Sequence, residues 1–268
     1  MNNNYKFAVI GNPISHSRSP EIFELFAKQT GIKLVYTKIP AHDFKSYANE
    51  LKRENYDGLN VTIPFKEEAF EYCDILSEDA KKANSVNTIH FDSKIIGYTT
   101  DGKGFVKDLE NNDFYSENKR ILIIGAGGSA RSIVTSLIQQ NPEQIVITNR
   151  NIARLSDFAR RIGSDIVTVH DIHNLGKDYD LVVNATPTSL NDELPGINSE
   201  VVEGSLCYDL AYSYSRTKFC TWSEQNKAKK SIDGLGMLVE QAAESFRIWT
   251  GCKVSTQEII KTMKQYIR

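Results

Sequence analysis

Apolar and polar positions follow two long series along the chain, each alternating short apolar runs with stretches where apolar residues recur at helical spacing. Tyr5 to Ile10 (YKFAVI) reads as a buried strand, broken by Gly11-Asn12-Pro13. Ser19 is the expected N-cap of a helix with Pro20 at its first position, Ile22, Phe23, Leu25 and Phe26 on one face, and Gly31 as its stop. Leu34 to Ile39 returns to strand character, Asp43 to Glu54 reads as a polar-faced helix, and Leu59 to Ile63 is a third strand ending at Pro64. This βαβαβ order predicts an α/β unit. A helical region is expected over Phe65 to Ala83. It is followed by a hairpin of Asn87 to Phe91 and Lys94 to Gly97 about an Asp92-Ser93 turn.

The second series opens at Arg120. Strand Ile121 to Ile124 leads through a glycine-rich turn into a helix ending at Gln140, then strand Gln144 to Thr148. Ile166 to Val169, Leu181 to Asn184, Leu206 to Leu210 and a short run near Ile232 are further strands, the alternation a doubly wound sheet requires. Two helices close the chain, Met237 to Thr250 and Thr256 to Ile267, separated by Gly251. Leu238, Val239, Ala242, Phe246 and Trp249 form a stripe on the first of them that must be buried, though periodicity does not name its partner. No repeat of solenoid length is present.

Composition narrows the function classes. With 268 residues, 40% hydrophobic and 25% charged, the chain has enough sequence for two ordinary globular cores with a cleft between them. A formal net charge of −2 provides no global basic field for nucleic acid or an anionic membrane, so a small-molecule partner is expected. Met1-Asn-Asn-Asn-Tyr-Lys6 lacks a basic start followed by a long apolar stretch, and no later run reaches membrane-spanning length, so a cytoplasmic protein is expected. Cys73, Cys207, Cys220 and Cys252 form no CxxC pair and are expected to be buried free thiols. His170 and His173 are spaced to share a helix face, yet no Glu or Cys completes a ligand set, and no metal is expected.

Gly125-Ala126-Gly127-Gly128-Ser129-Ala130 fits G-x-G-x-x-A after an apolar strand and before a helix. In that context Gly125 permits a tight turn, Gly127 lets backbone approach a pyrophosphate, and Ala130 keeps helix and strand close. The next strand ends at Asn149-Arg150, about twenty residues on, where an acid ordinarily meets the ribose 2′-hydroxyl of NAD. Arg150, with Arg154 one turn later, offers planar cationic donors suited to a 2′-phosphate, so NADP is the expected cofactor. Arg160 and Arg161 fit a solvated helix surface.

Four polar clusters, HSRSP, NVTIPFK, SVNT and TDG, stand where loops leave strands or open helices, the usual place for ligand groups in such sheets. Each has a purely structural alternative: Ser19 can cap its helix and Asn87 can serve a turn. In this order, however, GNPISHSRSP, NVTIPFK, SVNT, TDG, GAGGSA, NR(x)3R, NATP and DGLGMLVEQA resemble the shikimate dehydrogenase family across nearly the whole chain.

The resemblance implies an α/β protein of two domains. Residues 1–101 would form the first part of a substrate domain, 102–236 an inserted Rossmann-like NADP domain, and 237–268 the helices that complete the substrate domain. It implies reversible NADPH-dependent reduction of 3-dehydroshikimate to shikimate in aromatic amino-acid biosynthesis, by a monomer or homodimer. Lys66 and Asp101 match the family's catalytic pair. Ser17, Ser19 and Tyr212 match its carboxylate site, and Asn60, Thr62, Asn87 and Gln241 the groups around the ring. Residues Gly125 to Ala130, Asn149, Arg150, Arg154, Thr186 and Gly234 match its NADP site. Three departures stand out: Thr99 where the family usually has Asn, Ser189-Leu190 where it has Gly-Met, and a Tyr212 to Lys218 segment lacking two prolines. A quinate/shikimate dehydrogenase with broader substrate or NAD use and a non-catalytic NADP-binding regulator remain alternatives. Arg150 and Arg154 argue against the NAD form of the first, and retention of Lys66 with Asp101 against the second.

Overall fold

The computed structural model describes residues 4–213 and 215–265, without the side chains of residues 152–154. The first series folds as β1 (Asn4–Gly11), α1 (Ser19–Thr30), β2 (Lys33–Pro40), α2 (Phe44–Arg53) and β3 (Gly58–Val61). β1 pairs in parallel with both β2 and β3. Alternation along β1 sends Phe7 toward Phe23 and Phe26 of α1, and sends Ala8 and Ile10 toward Phe44 and Ala48 of α2. Gly31 ends α1 at φ 72° as expected, but Ser19 does not cap it. Arg18 holds the capping position, Ser19 is the first helical residue, and its Oγ accepts from Ser17 Oγ at 3.2 Å.

The expected helical region over 65–83 is interrupted. It consists of α3 (Lys66–Tyr72), the short strand β4 (Ile75–Leu76) and α4 (Glu78–Ala83). Cys73 turns to extended backbone, and Ser77 starts α4 by accepting from the Ala80 N–H. β5 (Thr88–Phe91) and β6 (Ile95–Tyr98) form the hairpin, with a turn that includes Lys94: the Asp92 N–H donates to the Lys94 carbonyl at 3.3 Å. The sheet order is β2-β1-β3-β5-β6-β4.

Asp101 opens α5 (Asp101–Asn111), a helix the sequence did not announce because Gly102 and Gly104 are poor helix formers. Close packing overrides propensity here, since a Cβ at Gly104 would stand 2.6 Å from the Gln241 backbone nitrogen. The second sheet follows from β7 (Arg120–Ile124), α6 (Gly128–Ile138), β8 (Gln144–Thr148), α7 (Ile152–Ile162), β9 (Val167–Val169), β10 (Leu181–Asn184), β11 (Leu206–Asp209), α8 (Lys218–Gln225) and β12 (Lys230–Asp233). Its strands are all parallel in the order β12-β11-β10-β7-β8-β9. Strand order reverses between β7 and β10, which opens a crevice at their carboxyl ends.

α9 (Leu235–Thr250) and α10 (Gln257–Gln265) return to the first sheet. Val239, Ala242, Phe246 and Trp249 of the apolar stripe pack with Phe7, Ile22, Phe23 and Phe26, while Leu238 sits at the margin of this cluster. Trp249 Nε1 also donates to the Ile89 carbonyl at 2.9 Å. Fully burying such a side chain contributes roughly 1.5–3 kcal/mol, so these contacts bind the chain's last helices firmly to its first strand.

Cys207 and Cys220 are buried free thiols, and burial pushes each up to about 11. Cys73 and Cys252 are free but only half-buried, each beside the C-terminal end of a helix. Among the described residues no helix is long and apolar enough to cross a membrane.

Candidate active site

One cavity of about 230 Å³ lies between the two sheets. Ser17, Ser19, Asn60, Thr62, Lys66, Asn87, Asp101 and Gln241 line it, and Tyr212, from the loop after β11, joins them, so all nine expected substrate residues line one space. The fold explains the convergence: Asn60 lies one residue before the end of β3, Asn87 precedes its antiparallel neighbour β5, and Ser19, Lys66 and Asp101 begin α1, α3 and α5.

Lys66 and Asp101 are paired, with side chains 12% and 7% exposed. Lys66 Nζ donates to Asp101 Oδ2 and also to Ser129 Oγ at 2.9 Å. Asp101 Oδ1 accepts from Asn87 Nδ2 at 2.8 Å, so one carboxylate is held from both sides. Its place in the first turn of α5 suits a negative charge, because the helix N-terminus carries partial positive charge.

Asn87 is itself fixed. Its Oδ1 accepts from the Thr100 N–H at 2.8 Å, and its Nδ2 also meets Thr100 Oγ1 and Gln241 Oε1. Asn60 Nδ2 lies 3.1 Å from each of Thr88 Oγ1, Ser245 Oγ and the Asn87 carbonyl, while its Oδ1 accepts from the Tyr36 hydroxyl at 2.7 Å. Burial pushes the Tyr36 phenol upward, against a hydrogen bond with Ser19, and keeps it a neutral donor. Tyr36, Thr88, Thr100 and Ser245 form a supporting layer that sequence reasoning missed. A tyrosine in an apolar strand reads as core, and nothing local connects it to Asn60.

The glycine turn joins β7 to α6. Gly125 has φ +122°, and a Cβ there would lie 2.9 Å from the Ala185 carbonyl oxygen, so glycine is required twice over. Gly127 caps α6 without a side-chain hydrogen bond and has open space where a Cβ would be. The first N–H groups of α6 therefore remain available for phosphate oxygens, and Ala130 is fully buried against the sheet. These features fit a dinucleotide pyrophosphate.

Asn149 and Arg150 follow β8, and among the described residues no hydrogen bond or ion pair engages the exposed Arg150 guanidinium. The Arg154 side chain lies outside the described residues. Ser129, Thr186 and Gly234 line the cavity beside the substrate set. Gly125, Ala126, Gly127, Gly128, Ala130, Asn149 and Arg150 stand outside it, near the carboxyl ends of β7 and β8.

Two of the three departures find local explanations. Thr99 is buried with its Oγ1 2.8 Å from Ser132 Oγ on α6, away from the cavity. Ser189 Oγ donates to Asp209 Oδ2 at 2.6 Å, whereas Leu190 is exposed and lines the cavity. His170 and His173 do not share a helix: both are exposed in the turn after β9, where Asp171 draws the chain round by accepting from the His173 N–H. Among the described residues no three His, Cys, Asp or Glu side chains gather as a metal site.

A cavity into which hydroxyl, amide and charged side chains converge, facing a glycine turn at the switch point of a parallel sheet with a lysine–carboxylate pair between them, defines a two-domain nucleotide-dependent oxidoreductase. Family models agree along the chain: the shikimate dehydrogenase substrate binding domain matches residues 9–89, shikimate/quinate 5-dehydrogenase 108–204, and the shikimate 5′-dehydrogenase C-terminal domain 234–264. A protein of Vesicomyosocius okutanii subsp. Calyptogena okutanii named shikimate dehydrogenase (NADP(+)) is 42% identical, covering 97% of this chain and 100% of that protein. The chain belongs to the shikimate dehydrogenase family. Among solved structures, an Ael1 enzyme from Pseudomonas putida matches with a TM-score of 0.90 at 35% identity, over 96% of this chain and 97% of that one. Shikimate 5-dehydrogenase from Thermus thermophilus, solved with NADP(H) and shikimate, matches with a TM-score of 0.87 at 26% identity, over 98% and 99%.

Proposed function

We propose that this chain catalyses the reversible NADPH-dependent reduction of 3-dehydroshikimate to shikimate, with Lys66 and Asp101 as its acid–base pair. The observation that carries this reading is the Lys66 ammonium, held by Asp101 in a cavity that also touches the glycine-turn helix through Ser129. Bound NADPH supplies the hydride. Lys66 donates a proton to the carbonyl oxygen as it becomes an alkoxide, and takes that proton back in the reverse direction. Asp101 orients the ammonium and opposes its charge, while Asn87 holds Asp101.

Ser17 and Ser19 present paired hydroxyls to the substrate carboxylate, joined by Tyr212 from the loop after β11. Asn60, Thr62, Asn87 and Gln241 meet the ring oxygens. On the cofactor side the α6 N-terminus takes the pyrophosphate, and Arg150 and Arg154 take the 2′-phosphate. Residues 1–101 and 237–268 act as the substrate domain and 102–236 as the cofactor domain. Packing of α9 on α1 and β1 supports this division. Removing residues 237–268 is expected to unfold the substrate domain, and a truncated chain that stayed folded and active would overturn the division.

The activity is tested by incubating the protein with shikimate or quinate, each with NADP⁺ or NAD⁺, and following nicotinamide absorbance. Shikimate with NADP⁺ is expected to react fastest. No reduction in any combination, or a preference for NAD⁺, would contradict the proposal.

A further inference from the structure

We infer that Ser129, matched by resemblance to the cofactor site, is a positioning residue that aims the Lys66 ammonium. This inference rests on the proposed dehydrogenase activity. A lysine has three N–H donors on a flexible stem, so one carboxylate contact leaves its head free to swing. Here two acceptors from opposite walls fix it: Asp101 on α5 and Ser129 on α6. The third N–H remains for the substrate oxygen.

The first turns of α6 are built to keep Ser129 in register. A Cβ at Gly128 would stand 2.6 Å from Ser85 Oγ and 3.4 Å from Lys66 Cβ, so this helix end rests directly on the start of α3. Two residues beyond Ser129, Arg131 Nη2 donates to Glu67 Oε1 at 2.5 Å and Nε donates to the Ala83 carbonyl at 2.8 Å. Glu67 is the immediate neighbour of Lys66. Ser132 Oγ bonds Thr99 Oγ1 at 2.8 Å and accepts from the Gly102 N–H at 3.0 Å, which secures both flanks of Asp101. One face of α6 thus grips the residues beside each member of the pair, and Ser129 touches the lysine itself. The unusual Thr99 belongs to this grip.

A hydroxyl that served only as a phosphate donor would act on cofactor affinity. One that aims Lys66 acts on the rate of the bound complex, where a misplacement of about 1 Å can cost on the order of a hundredfold. The test is steady-state kinetics with shikimate and NADP⁺ for Ser129→Ala and Ser129→Thr, each made with Lys66 present and in Lys66→Ala. Ser129→Ala is expected to lower kcat roughly tenfold with the NADP⁺ KM within about twofold, and Ser129→Thr to keep most of the rate. In the Lys66→Ala background Ser129→Ala should cost nothing more, because its object is gone. A raised NADP⁺ KM with intact kcat, or the same rate loss in both backgrounds, overturns the inference. An inactive parent protein would instead refute the dehydrogenase reading, so the two failures are distinguishable.

Discussion

The two walls of the cavity are finished to different degrees. On the substrate wall Asn60, Asn87, Thr88, Thr100, Gln241 and Ser245 satisfy one another in a buried network that ends on Asp101 and Lys66. On the cofactor wall, among the described residues, the α6 N-terminus has no side-chain cap, Arg150 is exposed, and Asn149 donates to the nearby Asn151 carbonyl. The first wall has its geometry set by folding, whereas the second keeps donors available for phosphate. Substitutions on the first, and at Ser129 where the second touches Lys66, should therefore act on turnover, and the others on the second on cofactor affinity and choice.

The largest effect is expected at the proposed catalytic pair. Asp101→Asn should lower kcat at least about a hundredfold, the scale of general acid–base catalysis, since the amide neither opposes nor orients the ammonium as a carboxylate does. In the proposed mechanism Lys66 and Asp101 act as a unit, so Lys66→Ala combined with Asp101→Asn should be little worse than either alone. Strictly multiplicative losses would separate the two residues.

Arg150→Ala tests the other wall. A charge-assisted hydrogen bond contributes roughly 1.5–3 kcal/mol, so NADPH efficiency should fall about ten- to a hundredfold while NADH efficiency stays level. Equal losses with both cofactors would make Arg150 a structural residue.

A smaller effect is expected where α5 meets the second sheet. Asp108, 3% exposed, accepts from the Tyr208 hydroxyl at 2.6 Å, and burial pushes its carboxyl up to about 6 against that hydrogen bond. The folded state therefore holds this proton where the unfolded chain releases it. Its contribution to stability is present below the ordinary carboxylate range and is lost as pH rises from about 4 to 6, by at most about 3 kcal/mol. Asp108→Asn keeps an acceptor for Tyr208 and removes the ionisation. Its melting temperature relative to the parent should climb across that window, and a constant difference would contradict this account.

The sequence was most legible where structure is local. Continuous apolar runs marked the parallel strands, and Gly125, whose φ is +122°, marked the turn. β4 was hidden because two residues carry no periodicity, and α5 because Gly102 and Gly104 hide a helix that is favoured by close packing. Ser19 read as a cap, but Ser17 engages its hydroxyl and draws it to the cavity. The substrate set emerged from motif order rather than spacing. Its support from Tyr36, Thr88, Thr100 and Ser245, and the bond from Lys66 to Ser129, depend on contacts between distant segments that no sequence window contains.

The most direct test of the account is Lys66→Ala, with kcat measured alongside calorimetric affinities for shikimate and NADP⁺. The account predicts a fall in kcat of at least about a hundredfold with both affinities changed by no more than a few fold. Near-normal turnover in a folded variant, or a loss confined to shikimate affinity, would contradict it by making Lys66 a binding residue alone.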